Sequence, residues 1–176
     1  MRDAREQAIN LYQHNGWEKF LSNFKFWEEP YEIVEKMLPE IGVIIDLGCG
    51  EGLLSNYLAL ASPKRKIIGY EIAPERQKRA KKGLKNASFK VGDIIDVSYP
   101  KADAFILFHV LHHLTSYEVQ EEGLQKVKKS ITPGGKLVIV EVYIEPSIKY
   151  LAAWIADHFL VPWVFEGRFY TRAYFR

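Results

Sequence analysis

Three glycines in five residues follow an aspartate at the end of an apolar run, where residues 43 to 52 read VIIDLGCGEG. Glycine there adds to the entropy cost of folding, so the chain must need the left-handed backbone or the close approach that only glycine allows. Two further acids stand at comparable places. Glu71 closes KIIGYE, and Asp93 follows the short run ASFKV. An acid after a second strand can accept hydrogen bonds from both hydroxyls of a ribose, and an acid shortly after a third can accept from the exocyclic amine of adenine. Together they describe an adenosine lying across strand ends, with the glycines letting its tail sit against the backbone. A dinucleotide asks for G-x-G-x-x-G and a pyrophosphate on the helix N-terminus. The loop here is Gly48-Cys49-Gly50-Glu51-Gly52, with Asp46 in front and Glu51 inside. Those carboxylates repel a pyrophosphate and attract an ammonium or a sulfonium, so the charge favours a cationic ligand.

The elements that must position these residues alternate along the chain. Residues 1 to 38 read as helical and aromatic-rich. Val43–Leu47, Lys66–Glu71, Ala87–Val91, Ala104–Phe108 and Lys136–Val142 read as strands. Helices are expected over about Glu51–Leu60, Pro74–Leu84 and Tyr117–Lys129, with a turn at Thr132–Gly135. Strands that are apolar throughout and separated by helices indicate a parallel sheet covered on both faces. The expected fold class is α/β, a doubly wound, mainly parallel Rossmann-like sheet with an N-terminal helical extension. Ligands of such sheets bind beyond the carboxyl ends of the strands. Asp46, the glycines, Glu71, Asp93, Leu107, Phe108 and His109 all fall there.

Composition narrows the class. The 176 residues, 48% hydrophobic and 26% charged, are those of a globular chain long enough for a core. A net charge of +2 does not demand nucleic acid as partner. The single cysteine, Cys49, excludes an intrachain disulfide and suits a reducing cytoplasm, the expected location. MRDAREQAIN lacks the apolar core of a signal peptide, and no apolar run reaches the ~20 residues of a membrane-spanning helix.

DLGCGEG is similar to motif I of the class I S-adenosylmethionine-dependent methyltransferases. The resemblance continues in order through GYEIAPE, VGDIID, DAFILFHVLHHL and ITPGGKLVIVE, over about residues 40 to 145. It implies a sheet in the order 3-2-1-4-5, an enzyme that moves a methyl group from S-adenosylmethionine, and S-adenosylhomocysteine as product. It places Gly48, Cys49, Gly50 and Gly52 along the methionine part and Asp46 near its amino group. Glu71 would hold the ribose, Ile72 would pack on the adenine, and Asp93 and Ile94 would contact its edge. Leu107 and Phe108 would flank the reactive end. HVLHHL resembles the loop of enzymes acting on small molecules, which sets the expected acceptor class; RNA, protein, or no turnover at all in a binding subunit are the alternatives.

Plainer readings apply to several residues. Cys49 reads as a small packing residue rather than a nucleophile, and Asp96 as structural. His109, His112 and His113 lack a further donor for a metal, so none is expected. His109, just past the fourth strand, is the candidate acid or base, while His113 more often buttresses this loop in similar proteins. The run Arg76–Lys85 reads as a solvated helix face without aromatics to stack bases, so nucleic acid is not expected as a partner. The whole chain reads as one domain, with residues 1–38 as extension, 40–145 as cofactor-binding core and 146–176 as C-terminal helix and incomplete tail. Relatives add strands six and seven where this sequence stops. Ten large apolar residues within Tyr150–Phe165 exceed one amphipathic face, so self-association through residues 150–165, or a missing C-terminal piece that covers them, is expected, with burial under Trp17, Phe20, Phe24 and Trp27 as the alternative.

Overall fold

The computed structural model describes residues 2–12 and 16–141. Five strands, β1 (Gly42–Leu47), β2 (Arg65–Glu71), β3 (Ala87–Val91), β4 (Ala102–Phe108) and β5 (Ile131–Val140), form one sheet in the order β3-β2-β1-β4-β5. Their pairings are parallel throughout. Strand order reverses between β1 and β4, so the crevice for a ligand opens at the carboxyl ends of these two strands. The helices are α1 (Arg2–Leu11), α2 (Gly16–Glu28), α3 (Tyr31–Met37), α4 (Leu53–Ala61), α5 (Pro74–Ala80) and α6 (Tyr117–Ser130), with a 3-10 turn at Leu111–His113. No helix among the described residues is long and apolar enough to cross a membrane.

Alternation along the strands explains their unbroken apolar character. Ile44, Ile67, Ala104, Ile106 and Val138 face a cluster built with α1, α3 and α4, including Ala8, Val34, Tyr57 and Leu58. Their neighbours Ile45, Leu47, Ile68, Phe105 and Leu107 face the opposite cluster, closed by Val127 of α6. With helices on both faces, neither side of a strand can be polar. The N-terminal helices are thus a layer of the core rather than an appendage. Arg65 at the start of β2 fastens them. It is buried, its guanidinium lies 2.9 Å from the Glu35 carboxylate, and its Nε donates to the Pro39 carbonyl at 2.7 Å. A charge out of water at this depth is tolerable only with such partners.

Element boundaries differ from the expected ones for local reasons. The helix expected from Glu51 starts at Leu53, because Gly52 sits at φ 78°, outside helical space. The helix expected to reach Leu84 stops at Ala80. The Ala80 carbonyl accepts from Asn56 Nδ2 at 2.9 Å, Lys82 is drawn over the Tyr12 ring, and Gly83 turns at φ 81°. β5 begins at Ile131, paired with Ala102; the expected turn at 132–135 interrupts its register before pairing resumes at Lys136. The expected C-terminal helix and tail, any strands six and seven, and the segment 150–165 expected to self-associate lie outside the described residues.

Candidate functional site

Gly48, Gly50 and Gly52 all adopt the left-handed region, at φ 71°, 57° and 78°. A side chain at Gly48 would also collide with Val110, so the turn needs both the freedom and the space. Four of the loop's five N–H groups point inward. Gly48 and Cys49 both donate to the Tyr70 carbonyl, at 2.8 and 3.0 Å, and Gly52 donates to the Cys49 carbonyl at 2.9 Å. Gly50 donates to Glu71 Oε2 at 2.8 Å. A phosphate-binding turn instead offers its amides to the ligand. These four amides are already used.

Two buried carboxylates stand behind the loop. Glu71 also accepts from the Ala73 N–H at 2.9 Å, so each of its oxygens holds a backbone amide and keeps further lone pairs. Asp46 is 2% exposed and accepts from Ser55 Oγ at 2.5 Å. Burial pushes the Asp46 carboxyl up to about 7; the Ser55 hydrogen bond opposes this and the charge of Glu71 adds to it. Burial, with the negative charges of Asp46 and Glu71, also pushes the Cys49 thiol well up, which keeps it protonated and unreactive. A cation at this loop would relieve both acids.

Ile72, next to Glu71, is a large apolar side chain left 64% exposed at the strand ends. Asp93 folds its own turn, with Oδ1 accepting from the Ile95 N–H at 2.9 Å, and Ile94 is buried in the core cluster. Asp96 is exposed. The Leu107 side chain is core as well, whereas Phe108 is half-buried and meets Tyr31 edge to face at 5.3 Å.

His109 is the one non-glycine residue with positive φ among the described residues, at 55°. Such a backbone is costly and persists where surroundings hold it. Its N–H donates to the Val140 carbonyl at 2.8 Å, and its Nε2 lies 2.9 Å from Glu29 Oε2. Burial pushes the Glu29 carboxyl up, but the hydrogen bond and charge of His109, with Lys25, outweigh it and hold the group below its ordinary value. The turn after His109 is fixed by Glu141. One carboxylate oxygen accepts from the Val110 and Leu111 N–H groups at 3.0 and 2.7 Å, and the other lies 2.7 Å from His112 Nδ1. His112 thereby joins the buttressing expected of His113, whose ring packs against it at 4.0 Å. Among the described residues no cluster is arranged to hold a metal ion.

Sequence reasoning missed Tyr12, Glu29, Ser55 and Glu141. Glu141 was findable, since it directly follows the fifth strand, much as Glu71 ends the second. Glu29 carries no local signal; it stands 80 residues before the histidine it meets.

Comparison with known proteins agrees with this geometry. A family model for a methyltransferase domain matches residues 40–168. An uncharacterized methyltransferase of Mycobacterium tuberculosis is 31% identical over 121 residues, covering 64% of this chain and 58% of that protein. The tRNA (carboxymethyluridine(34)-5-O)-methyltransferase of Arabidopsis thaliana is 28% identical over 152 residues, covering 83% of this chain and 36% of that protein. The chain therefore spans from about a third to somewhat over half of the length of these relatives. Human N-acetylserotonin methyltransferase, solved in complex with S-adenosylmethionine, shares the fold at a TM-score of 0.58 and 22% identity, over 80% of this chain and 39% of that one. Inward-turned loop amides, a sheet in the order β3-β2-β1-β4-β5 and a family match across most of the chain lead to one conclusion: this protein belongs to the class I S-adenosylmethionine-dependent methyltransferases.

Proposed function

We propose that this chain binds S-adenosylmethionine across the carboxyl ends of β1, β2 and β3 and moves its methyl group to a small-molecule acceptor held beyond β4. The observation that carries the reading is the loop with four of its five amides spent internally and two carboxylates buried behind it, which suits a cation and disfavours a pyrophosphate. In this reading Gly48, Cys49, Gly50 and Gly52 line the methionine part, and Asp46 answers its ammonium. Glu71 accepts from the ribose hydroxyls on lone pairs its backbone partners leave open. Ile72 covers one face of the adenine, and Asp93 and Ile94 meet its edge. Leu107, through its main chain, and Phe108 flank the reactive end.

The bound sulfonium supplies an electrophilic methyl for in-line displacement. The chain's own task is to hold the acceptor opposite, exclude water and take a proton. In this reading His109, its Nε2 held by Glu29, takes that proton. A second reading, an RNA acceptor, draws on the similarity to the Arabidopsis tRNA enzyme and on the basic run Arg76–Lys85. Part of that run is already paired, Lys78 with Glu75 and Arg79 with Glu51, which favours the small acceptor.

Calorimetry with S-adenosylhomocysteine, followed by transfer of labelled methyl from S-adenosylmethionine into a metabolite extract and into total tRNA, tests this. Binding together with label in the metabolite pool is expected. Absence of binding overturns the cofactor reading, label confined to tRNA overturns the acceptor class, and binding without any transfer leaves a cofactor-holding subunit in place of an enzyme.

A further inference from the structure

We infer that Tyr12, from the N-terminal extension, is a positioning residue for the cofactor, and that docking of α1 and cofactor binding are thermodynamically linked. The inference rests on the cofactor reading above. Tyr12 follows α1 directly and is 8% exposed. Its hydroxyl donates to the carbonyl of Glu51, inside the glycine loop, at 2.6 Å, and accepts from Asn56 Nδ2 at 2.8 Å. Asn56 is fully buried, and the same nitrogen lies 2.9 Å from the carbonyls of Gly52 and Ala80. The phenol and the amide it meets together gather the loop, the start of α4 and the end of α5.

The loop is held from two sides by opposite polarity. Three of its N–H groups, those of Gly48, Cys49 and Gly50, are taken by β2, through the Tyr70 carbonyl and the Glu71 carboxylate. The Glu51 carbonyl faces the other way and is taken by α1 through Tyr12, while the Glu51 carboxylate is paired with Arg79 of α5 at 2.9 Å. A loop with three left-handed glycines has wide freedom once a tether is removed, and any ligand that needs one loop shape must then supply the ordering itself. Tyr12 supplies it in advance. Burial pushes its phenol well above the ordinary value, so it remains a donor at every working pH. Apolar burial alone does not account for this hydroxyl, because phenylalanine would fill the same space beneath the Lys82 ammonium, 4.2 Å from the ring centroid. Linkage is reciprocal: if the docked α1 favours cofactor binding by some factor, bound cofactor favours the docked α1 by the same factor.

The test uses the full chain with S-adenosylhomocysteine as probe. In Tyr12→Phe the dissociation constant is expected to rise about three- to tenfold, the range for losing one buried hydrogen bond. Lys82→Ala, which removes the cation over the ring and leaves the hydroxyl, is expected to keep it within about twofold. In the wild type, hydrogen exchange of α1 amides is expected to slow on adding the probe, and to slow less in Tyr12→Phe. A purely structural tyrosine gives a lower melting temperature and faster exchange with and without probe, at unchanged affinity; that result overturns the inference. Wild-type exchange in α1 that ignores the probe overturns it even if the variant does not fold. Absence of probe binding to the wild type defeats the cofactor reading instead.

Discussion

Replacing Asp46 with asparagine isolates the electrostatic cost of the glycine loop. The wild-type carboxyl is fully buried and pushed from 3.8 up to about 7. Below pH ~4 the group is protonated in the folded and the unfolded chain and contributes no pH dependence. Between ~4 and ~7 the folded chain holds a proton that the unfolded chain has released, so stability falls as pH rises. Above ~7 the loss is complete. About three pKa units at 1.36 kcal/mol each amount to ~4 kcal/mol. Asparagine keeps an acceptor for Ser55 Oγ and carries no charge, so the variant escapes this loss. Urea unfolding of the ligand-free protein at pH 5, 6, 7 and 8 should show Asp46→Asn gaining on the wild type by roughly 2–4 kcal/mol across the range. A stability difference that is flat from pH 5 to 8 would refute the reasoning. Cofactor offers a second arm, since an ammonium beside Asp46 favours the carboxylate. Binding of S-adenosylhomocysteine at pH 6 should release a proton, read as a heat that changes with the buffer's ionisation enthalpy, and the release should vanish in Asp46→Asn.

Glu71→Ala removes an acceptor for the ribose together with the partner of the Gly50 N–H, and should weaken S-adenosylhomocysteine binding by about 1.5–3 kcal/mol in calorimetry. Unchanged affinity would contradict its role. His109→Ala should leave that affinity within about twofold while lowering the single-turnover rate with whichever acceptor the transfer screen identifies; the reverse pattern would remove His109 from the chemistry. Arg65→Ala strands the Glu35 carboxylate at the seam between β2 and α3, and should lower unfolding stability by about 3–5 kcal/mol in urea. A loss under about 1 kcal/mol would mean that the pair behaves as an exposed one.

The sequence by itself determined whatever depends on near neighbours. Five apolar runs broken by glycine, proline and helical spacing determine a parallel sheet covered on both faces, because alternation along each strand needs partners on each side. DLGCGEG, Glu71 and Asp93 are legible because each stands at the end of a strand, where the chain must turn and a ligand can reach it. Tertiary structure decided what depends on distant chain and on water. His109 meets Glu29 only because α2 ends beside β4, and Tyr12 reaches Glu51 only because α1 packs along α4. The helix after β2 stops at Ala80 partly because a buried asparagine 24 residues earlier takes its last carbonyl. Asp46 is an ordinary acid by type, and nothing in its neighbours along the chain moves it. Burial beside a second carboxylate does, since desolvation is a property of the assembled interior and not of any stretch of sequence.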